Sequence, residues 1–184
     1  QAAFVFSVSG YTDFGQFKEA KDLMAEYKLY GPNLSENRPR LFNRLVDIVS
    51  WTDRHLPNFY FKMAKGEMCL PDRKILENSH VADLFIRDQS ESMVAGTQGV
   101  LQDLITQWEP WDFDLQQVTV PAYIFQGKQD TFVPWQFAKH LADNIPGAEL
   151  NLYEDRGHLY ILDQNFQDEL FSLAKKIMRN SFRE

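Results

Sequence analysis

The chain has 184 residues, 44% of them hydrophobic and 14% aromatic, and a formal net charge of -7. That length suits one well-cored domain, with or without a helical appendage, and that composition excludes a disordered chain. The acidic balance and the scattered Lys and Arg leave no basic stripe to hold a phosphate backbone, which argues against a nucleic-acid partner.

In chain order, Ala3 to Val8 is a near-continuous β-prone run of the kind buried on both faces of a sheet, and it runs into Ser9-Gly10. A mostly helical stretch follows, from about Thr12 to Trp108. Phe17, Ala20, Leu23, Met24 and Tyr27 form one apolar stripe, with Thr12 or Asp13 as its expected N-cap. Leu41, Leu45, Ile48 and Val49 form a second stripe after Pro39. Further helices are predicted around Asn58 to Ala64, Ser79 to Met93 and Gln98 to Gln107, separated by Pro57, Gly66, Pro71 and the Gly96/Gly99 pair. Val118 to Gln126 then reads as a strand ending at Gly127. Pro134 opens a helix with Phe137, Ala138, Leu141, Ala142 and Ile145 on one face, closed by Pro146-Gly147. A strand at about Glu149 to Tyr153 ends at Asp155-Arg156-Gly157-His158, and a last helix carries Phe166, Leu170, Phe171, Leu173, Ala174, Ile177 and Met178. Strand, helix, strand, helix with a right-handed crossover makes the two strands parallel.

The lone cysteine, Cys69, excludes an internal disulfide and a multi-cysteine zinc site, and fits a reducing, cytoplasmic compartment. It reads as a small buried hydrophobe rather than a nucleophile. His55, His80 and His140 are not grouped with acidic residues at ligand spacing, so no metal and no cofactor are implied. No apolar run approaches the ~20 residues needed to span a bilayer. The first residues lack the basic start of a signal peptide, and they read as a strand that begins inside a domain.

The two loops near the chain's end carry the chemistry. Gly127-Lys128-Gln129-Asp130 follows one strand and Arg156-Gly157-His158 follows the next. A carboxylate and an imidazole therefore stand at the C-terminal ends of parallel strands, where open α/β sheets bind ligands and react. Asp130 alone reads as a turn residue. Paired with His158 it reads as the acid and base of a catalytic triad, but no Gly-x-Ser-x-Gly supplies a nucleophile. Phe132 and Trp135, beside the acid loop, and Tyr160, after the base, are candidate substrate-binding residues; packing explains the aromatic residues equally well.

The ordered set Pro110-Trp111-Asp112-Phe113-Asp114-Leu115, Val120-Pro121, Gly127-x-x-Asp130, Val133-Pro134, Leu141-Ala142, Ile145-Pro146-Gly147-Ala148 and Gly157-His158 resembles the C-terminal part of α/β-hydrolase fold proteins. It is especially similar to bacterial members in which a Pro-Trp-Gly-Phe-Asp-like segment precedes the seventh strand; Asp112 stands where they often have Gly. The resemblance implies an α/β fold with three parallel strands, the sixth to eighth, flanking helices and a helical cap insertion. It divides the chain into a core strand at 1–11, a cap or lid at 12–108 and a C-terminal core at 109–184. It also implies that Asp130 is the triad acid and His158 the general base, in the family's order of Ser, then Asp or Glu, then His.

Two functions remain open at this point. The favoured one is the C-terminal part of a serine-type hydrolase of a small apolar ester, amide or lactone-like substrate, inactive by itself because nucleophile and oxyanion hole lie upstream of Gln1. Relatives with an Asp nucleophile share this end of the fold. The alternative is a non-catalytic ligand-binding or regulatory protein that keeps the fold. The expected partners are the small substrate and, through the edge of the first strand, a missing N-terminal half or a second copy.

Overall fold

The computed structural model describes residues 2–94 and 96–181, with the side chains of the last two left aside. They fall into two compact units, one formed by residues 2–10, 69–75 and 113–181 and the other by 11–68 and 76–112. Residues 69–75, part of the expected helical stretch, thus belong with the sheet.

The first unit is built on three parallel strands, β1 (Val5–Val8), β2 (Ala122–Gly127) and β3 (Glu149–Tyr153), in the order β1-β2-β3. Val5 pairs with Ala122 and Val8 with Phe125; on the other side Tyr123 pairs with Glu149 and Gly127 with Tyr153. β2 is central, and five of its six residues are buried. That burial explains why it reads as a continuous apolar run rather than an alternating one. β2 begins four residues later than the apolar run predicts. Pro121 has no N–H to give a ladder, so pairing starts past it, with Val5 N–H donating to the Pro121 carbonyl at 2.9 Å. Upstream, Leu115–Gln117 winds into a 3-10 turn capped by Asp114, whose side chain accepts the Gln116 N–H at 2.9 Å.

Successive side chains of β2 point to opposite faces. Tyr123 and Phe125 lie on one face, in an aromatic core with Phe6, Tyr160 and Phe166. The Tyr160 and Phe166 rings meet edge to face at 4.6 Å, a geometry that aromatic quadrupoles favour. Phe166 belongs to α9 (Gln164–Ser181), which adds Leu170 and Leu173 to this face. α8 (Trp135–Asn144) buries Phe137, Ala138 and Leu141 and packs on β2 and β3. Its start follows Pro134 as expected. A short helix, α5 (Leu70–Ile75), completes the unit by packing on the 3-10 turn Leu159–Leu162.

The second unit holds α1 (Ala20–Glu26), α2 (Gly31–Asn37), α3 (Pro39–His55), α4 (Pro57–Glu67), α6 (Ser79–Ser92) and α7 (Thr97–Thr106). Neither Thr12 nor Asp13 caps α1, which starts only at Ala20. Both are buried, and the Asp13 carboxylate instead accepts the N–H groups of Gly15 at 2.7 Å and Trp111 at 3.0 Å. That brace holds residues 13–15 to 111 within the unit, which is a tertiary use of a residue type that also caps helices. The helix expected after Pro39 forms as α3, but its stripe of Leu41, Leu45, Ile48 and Val49 is exposed, and the buried side is Phe42, Val46, Ser50 and Asp53.

Candidate active site

The parallel register of β2 and β3 sets the two loops side by side. Lys128 N–H donates to the Tyr153 carbonyl at 2.8 Å and Gln129 N–H to that of Arg156 at 3.0 Å. Approach this close demands glycine: a Cβ on Gly127 would overlap the carbonyl oxygens of Arg156 and Gly157, and one on Gly157 would overlap Cys69 Sγ and Asp72 Oδ1.

Asp130, 2% exposed, ends up wholly enclosed by donors. Its Oδ1 accepts the backbone N–H groups of Phe132 at 2.8 Å and Val133 at 2.9 Å, an arrangement in which the loop leading into α8 closes round its own aspartate. Its Oδ2 accepts Nε2 of Gln126 at 2.9 Å and faces Nδ1 of His158 at 2.9 Å. A carboxylate oxygen only accepts, so Nδ1 carries the proton and Nε2 of the neutral imidazole is left with its lone pair. With 32% of its side chain exposed against 0% for Asp130, His158 is the member of the pair that meets solvent.

Burial is the strongest single influence on His158 and disfavours its charged form. The hydrogen bond to Asp130, the Asp130 charge and the Asp72 charge together outweigh it, so the imidazole pKa lies above its ordinary 6.5. At Cys69 burial acts with the neighbouring carboxylates rather than against them. Burial above all, with the neighbouring Asp72 and Asp130 carboxylates, pushes its thiol up to about 11, so it is no activated nucleophile.

Among the other sequence candidates, Phe132 stands next to the base, its ring 5.3 Å from the imidazole. Trp135 lies at the first turn of α8 with Lys128 Nζ 5.6 Å from its ring. Tyr160 is 2% exposed and sits in the aromatic core against Phe166 and Tyr153. A cavity of about 540 Å³ opens elsewhere on this unit, lined by Leu70, Lys74, Arg156 and Tyr160 among others, and neither Asp130 nor His158 lines it. No group of three His, Cys, Asp or Glu among the described residues could hold a metal ion, and no described helix is long and apolar enough to cross a membrane.

Two residues of the site are not among the candidates that the sequence offers. Gln126 gives a signal in retrospect, as a polar residue closing an apolar strand at its reactive end. Asp72 gives none. Its carboxylate is 0% exposed, and it accepts the backbone N–H groups of His158 at 2.9 Å and Leu159 at 2.8 Å from 86 and 87 residues away.

Three parallel strands in consecutive order with helices on the sheet are the fold of the C-terminal part of α/β-hydrolase fold proteins. Superposition on solved structures bears this out. The esterase RhEst1 from Rhodococcus sp. ECU1013 aligns with a TM-score of 0.54 and 15% identity, over 96% of this chain and 56% of its own. Rv0554 from Mycobacterium tuberculosis gives 0.53 and 16%, over 97% and 57%, and Est816, described as an N-acyl homoserine lactone degrading enzyme, gives 0.51 and 17%, over 95% and 57%. In sequence, 45 residues are 42% identical to RutD of Stutzerimonas stutzeri (strain A1501), named as a carbamate hydrolase, a stretch that is 24% of this chain and 17% of that protein. The chain thus spans little more than half the length of these solved structures. No protein-family model matches it.

Proposed function

We propose that this chain is the C-terminal part of a serine-type α/β-hydrolase that cleaves a small ester, amide, carbamate or lactone-like substrate in the cytoplasm. The observation that carries the reading is the 2.9 Å contact between His158 Nδ1 and an Asp130 carboxylate sealed from solvent. Asp130 holds the imidazole in one tautomer and orientation, with Nε2 as the acceptor for a serine hydroxyl proton. As the serine Oγ bonds to the substrate carbonyl carbon, its proton passes to Nε2, and the imidazolium formed is stabilised by Asp130. That proton then goes to the leaving group, and water, deprotonated by the same nitrogen, hydrolyses the acyl-enzyme.

The serine and the oxyanion-hole donors would come from a strand-turn-helix unit upstream of Gln1, and the helical unit would serve as the cap over the substrate. The hydrolytic names of RhEst1, Est816 and RutD support the reaction class and leave the acyl group open. Phe132, beside the imidazole, is the residue best placed to touch substrate. On this reading the 184-residue chain by itself has no turnover, since the nucleophile lies outside it and loss of even one oxyanion-hole donor costs about 100- to 1000-fold.

The test is hydrolysis of a short-chain aryl ester, an aryl carbamate and a lactone by the intact protein that carries this chain. Asp130→Asn should lower kcat by about 10⁴-fold, as in other triads, and His158→Ala by at least as much, with the fold retained by circular dichroism. Turnover by His158→Ala near the unmodified rate would refute the assignment.

A further inference from the structure

We infer that Asp72 is a positioning residue of the catalytic imidazole: its buried carboxylate clamps the backbone on which His158 is carried and so aims the ring at Asp130. This inference rests on the hydrolase reading above. The geometry is that of a built device. Oδ2 of Asp72 accepts the His158 N–H at 2.9 Å and Oδ1 accepts the Leu159 N–H at 2.8 Å, so one planar carboxylate takes two consecutive backbone donors. Those donors open the 3-10 turn Leu159–Leu162, for which His158, the residue in the cap position, provides no side-chain bond. The first N–H groups of such a turn have no partner inside it. Asp72 satisfies them from another element, the short helix α5, which packs on that turn.

The fit is close on every side. Cys69 Sγ donates to Oδ2 of Asp72 at 3.2 Å, and Gly157 leaves the space in which the carboxylate approaches the backbone. A buried carboxylate is costly unless its oxygens are bonded, and here each oxygen accepts at least one hydrogen bond. His158 therefore has a two-carboxylate harness, with Asp130 on the ring and Asp72 on the main chain. The ring's charged neighbours act in one direction: Asp130, from the loop after β2, and Asp72, from α5, both favour the imidazolium. Cys69, a titratable group bonded to Asp72, stays a neutral thiol through the working range because burial above all raises it to about 11.

The experiment is Asp72→Asn in the intact protein, alongside Asp130→Asn, with three readouts. We expect kcat to fall about 10- to 100-fold with KM little changed, the cost of a misaimed base rather than of lost substrate binding. The acid limb of the kcat/KM profile should move to lower pH, because a negative charge facing the imidazole is gone. In the NMR titration of the His158 ring the same downward shift should appear. A merely structural Asp72 would lower the melting temperature and leave the limb and the ring titration in place, and that result would overturn the inference. Should Asp72→Asn fail to fold, hydrogen exchange of the unmodified protein decides instead. The His158 and Leu159 amides should be protected like strand amides, and exchange as fast as in an open loop overturns the clamp. The two ideas fail separately. Full turnover by Asp130→Asn and His158→Ala refutes the hydrolase reading, whereas loss of turnover there with unmodified kinetics in Asp72→Asn refutes only the role of Asp72.

Discussion

Burial by itself would push the His158 pKa below 6.5, because an enclosed imidazole loses hydration when charged; the hydrogen bond to Asp130 and the Asp130 and Asp72 charges reverse the sign. The consequences for stability and for activity run in opposite directions. A histidine whose folded pKa is raised stabilises the fold fully below its unfolded value, and that contribution disappears as pH rises through the folded value. If His158 is the general base, as proposed above, it must be unprotonated, so activity is expected over the same window in which this stabilisation is lost. The acid limb of kcat/KM for the intact protein is therefore expected above pH 6.5, and urea-unfolding free energy should decline slightly across the same interval. In Asp130→Asn the limb, measured on residual turnover, should move down. A limb that stays at or below 6.5 in the unmodified protein would show that the carboxylates do not dominate the ring's environment.

Among the elements, the loop between α7 and the sheet shows how a single side chain can hold a helical unit to itself. Asp13 accepts from Gly15 and Trp111, and also from the Gln16 side chain. Burial, the largest influence, raises its carboxyl, but the donors from Trp111, Gln16 and Gly15 prevail and its pKa lies below the ordinary 3.8. A depressed carboxylate contributes stability above its unfolded pKa and loses it as pH falls through the folded one. Asp13→Ala leaves buried N–H groups unsatisfied and is expected to destabilise the helical unit by about 1–3 kcal/mol at pH 7. The difference from the unmodified protein should shrink below pH 3.8, which thermal unfolding at a series of pH values checks. The same unit shows where periodicity stops being informative. α3 has an apolar stripe at Leu41, Leu45, Ile48 and Val49, yet its buried side is Phe42, Val46, Ser50 and Asp53, two of them polar. An amphipathic pattern reports that a face is apolar, but burial depends on which neighbours the chain brings there, with Trp108 meeting Phe42 edge to face at 5.8 Å.

At the scale of the whole molecule, the three strands stand in the order β1-β2-β3, and among the described residues no further strand pairs with the outer edge of β1. Val5 on that strand is 40% exposed. A row of free backbone donors and acceptors beside apolar side chains is a pairing surface. We expect the 184-residue chain to associate through this edge, with an N-terminal half supplied in trans or with a second copy of itself. Light scattering over a hundred-fold concentration range should give a mass that rises above one chain. A constant monomer mass, together with fast amide exchange along β1, would count against it.

Local sequence by itself determined the strand-helix-strand-helix order after residue 118, the start of α8 behind Pro134, and the placing of Asp130 and His158 at the ends of adjacent strands. Each of these follows from short-range periods, from proline and glycine, and from the handedness of a crossover. Only the tertiary structure decided that Asp13 braces a loop instead of capping α1, which face of α3 is buried, and that Asp72 takes hold of the His158 backbone. The physical reason is the same in each case. A carboxylate or a methyl group carries no mark of its eventual partner, and the pairing of Asp72 with His158 spans 86 residues, far beyond the reach of any local period. It exists because the fold buried the Asp72 carboxylate against the His158 and Leu159 N–H groups, which supply the hydrogen bonds a buried carboxylate needs.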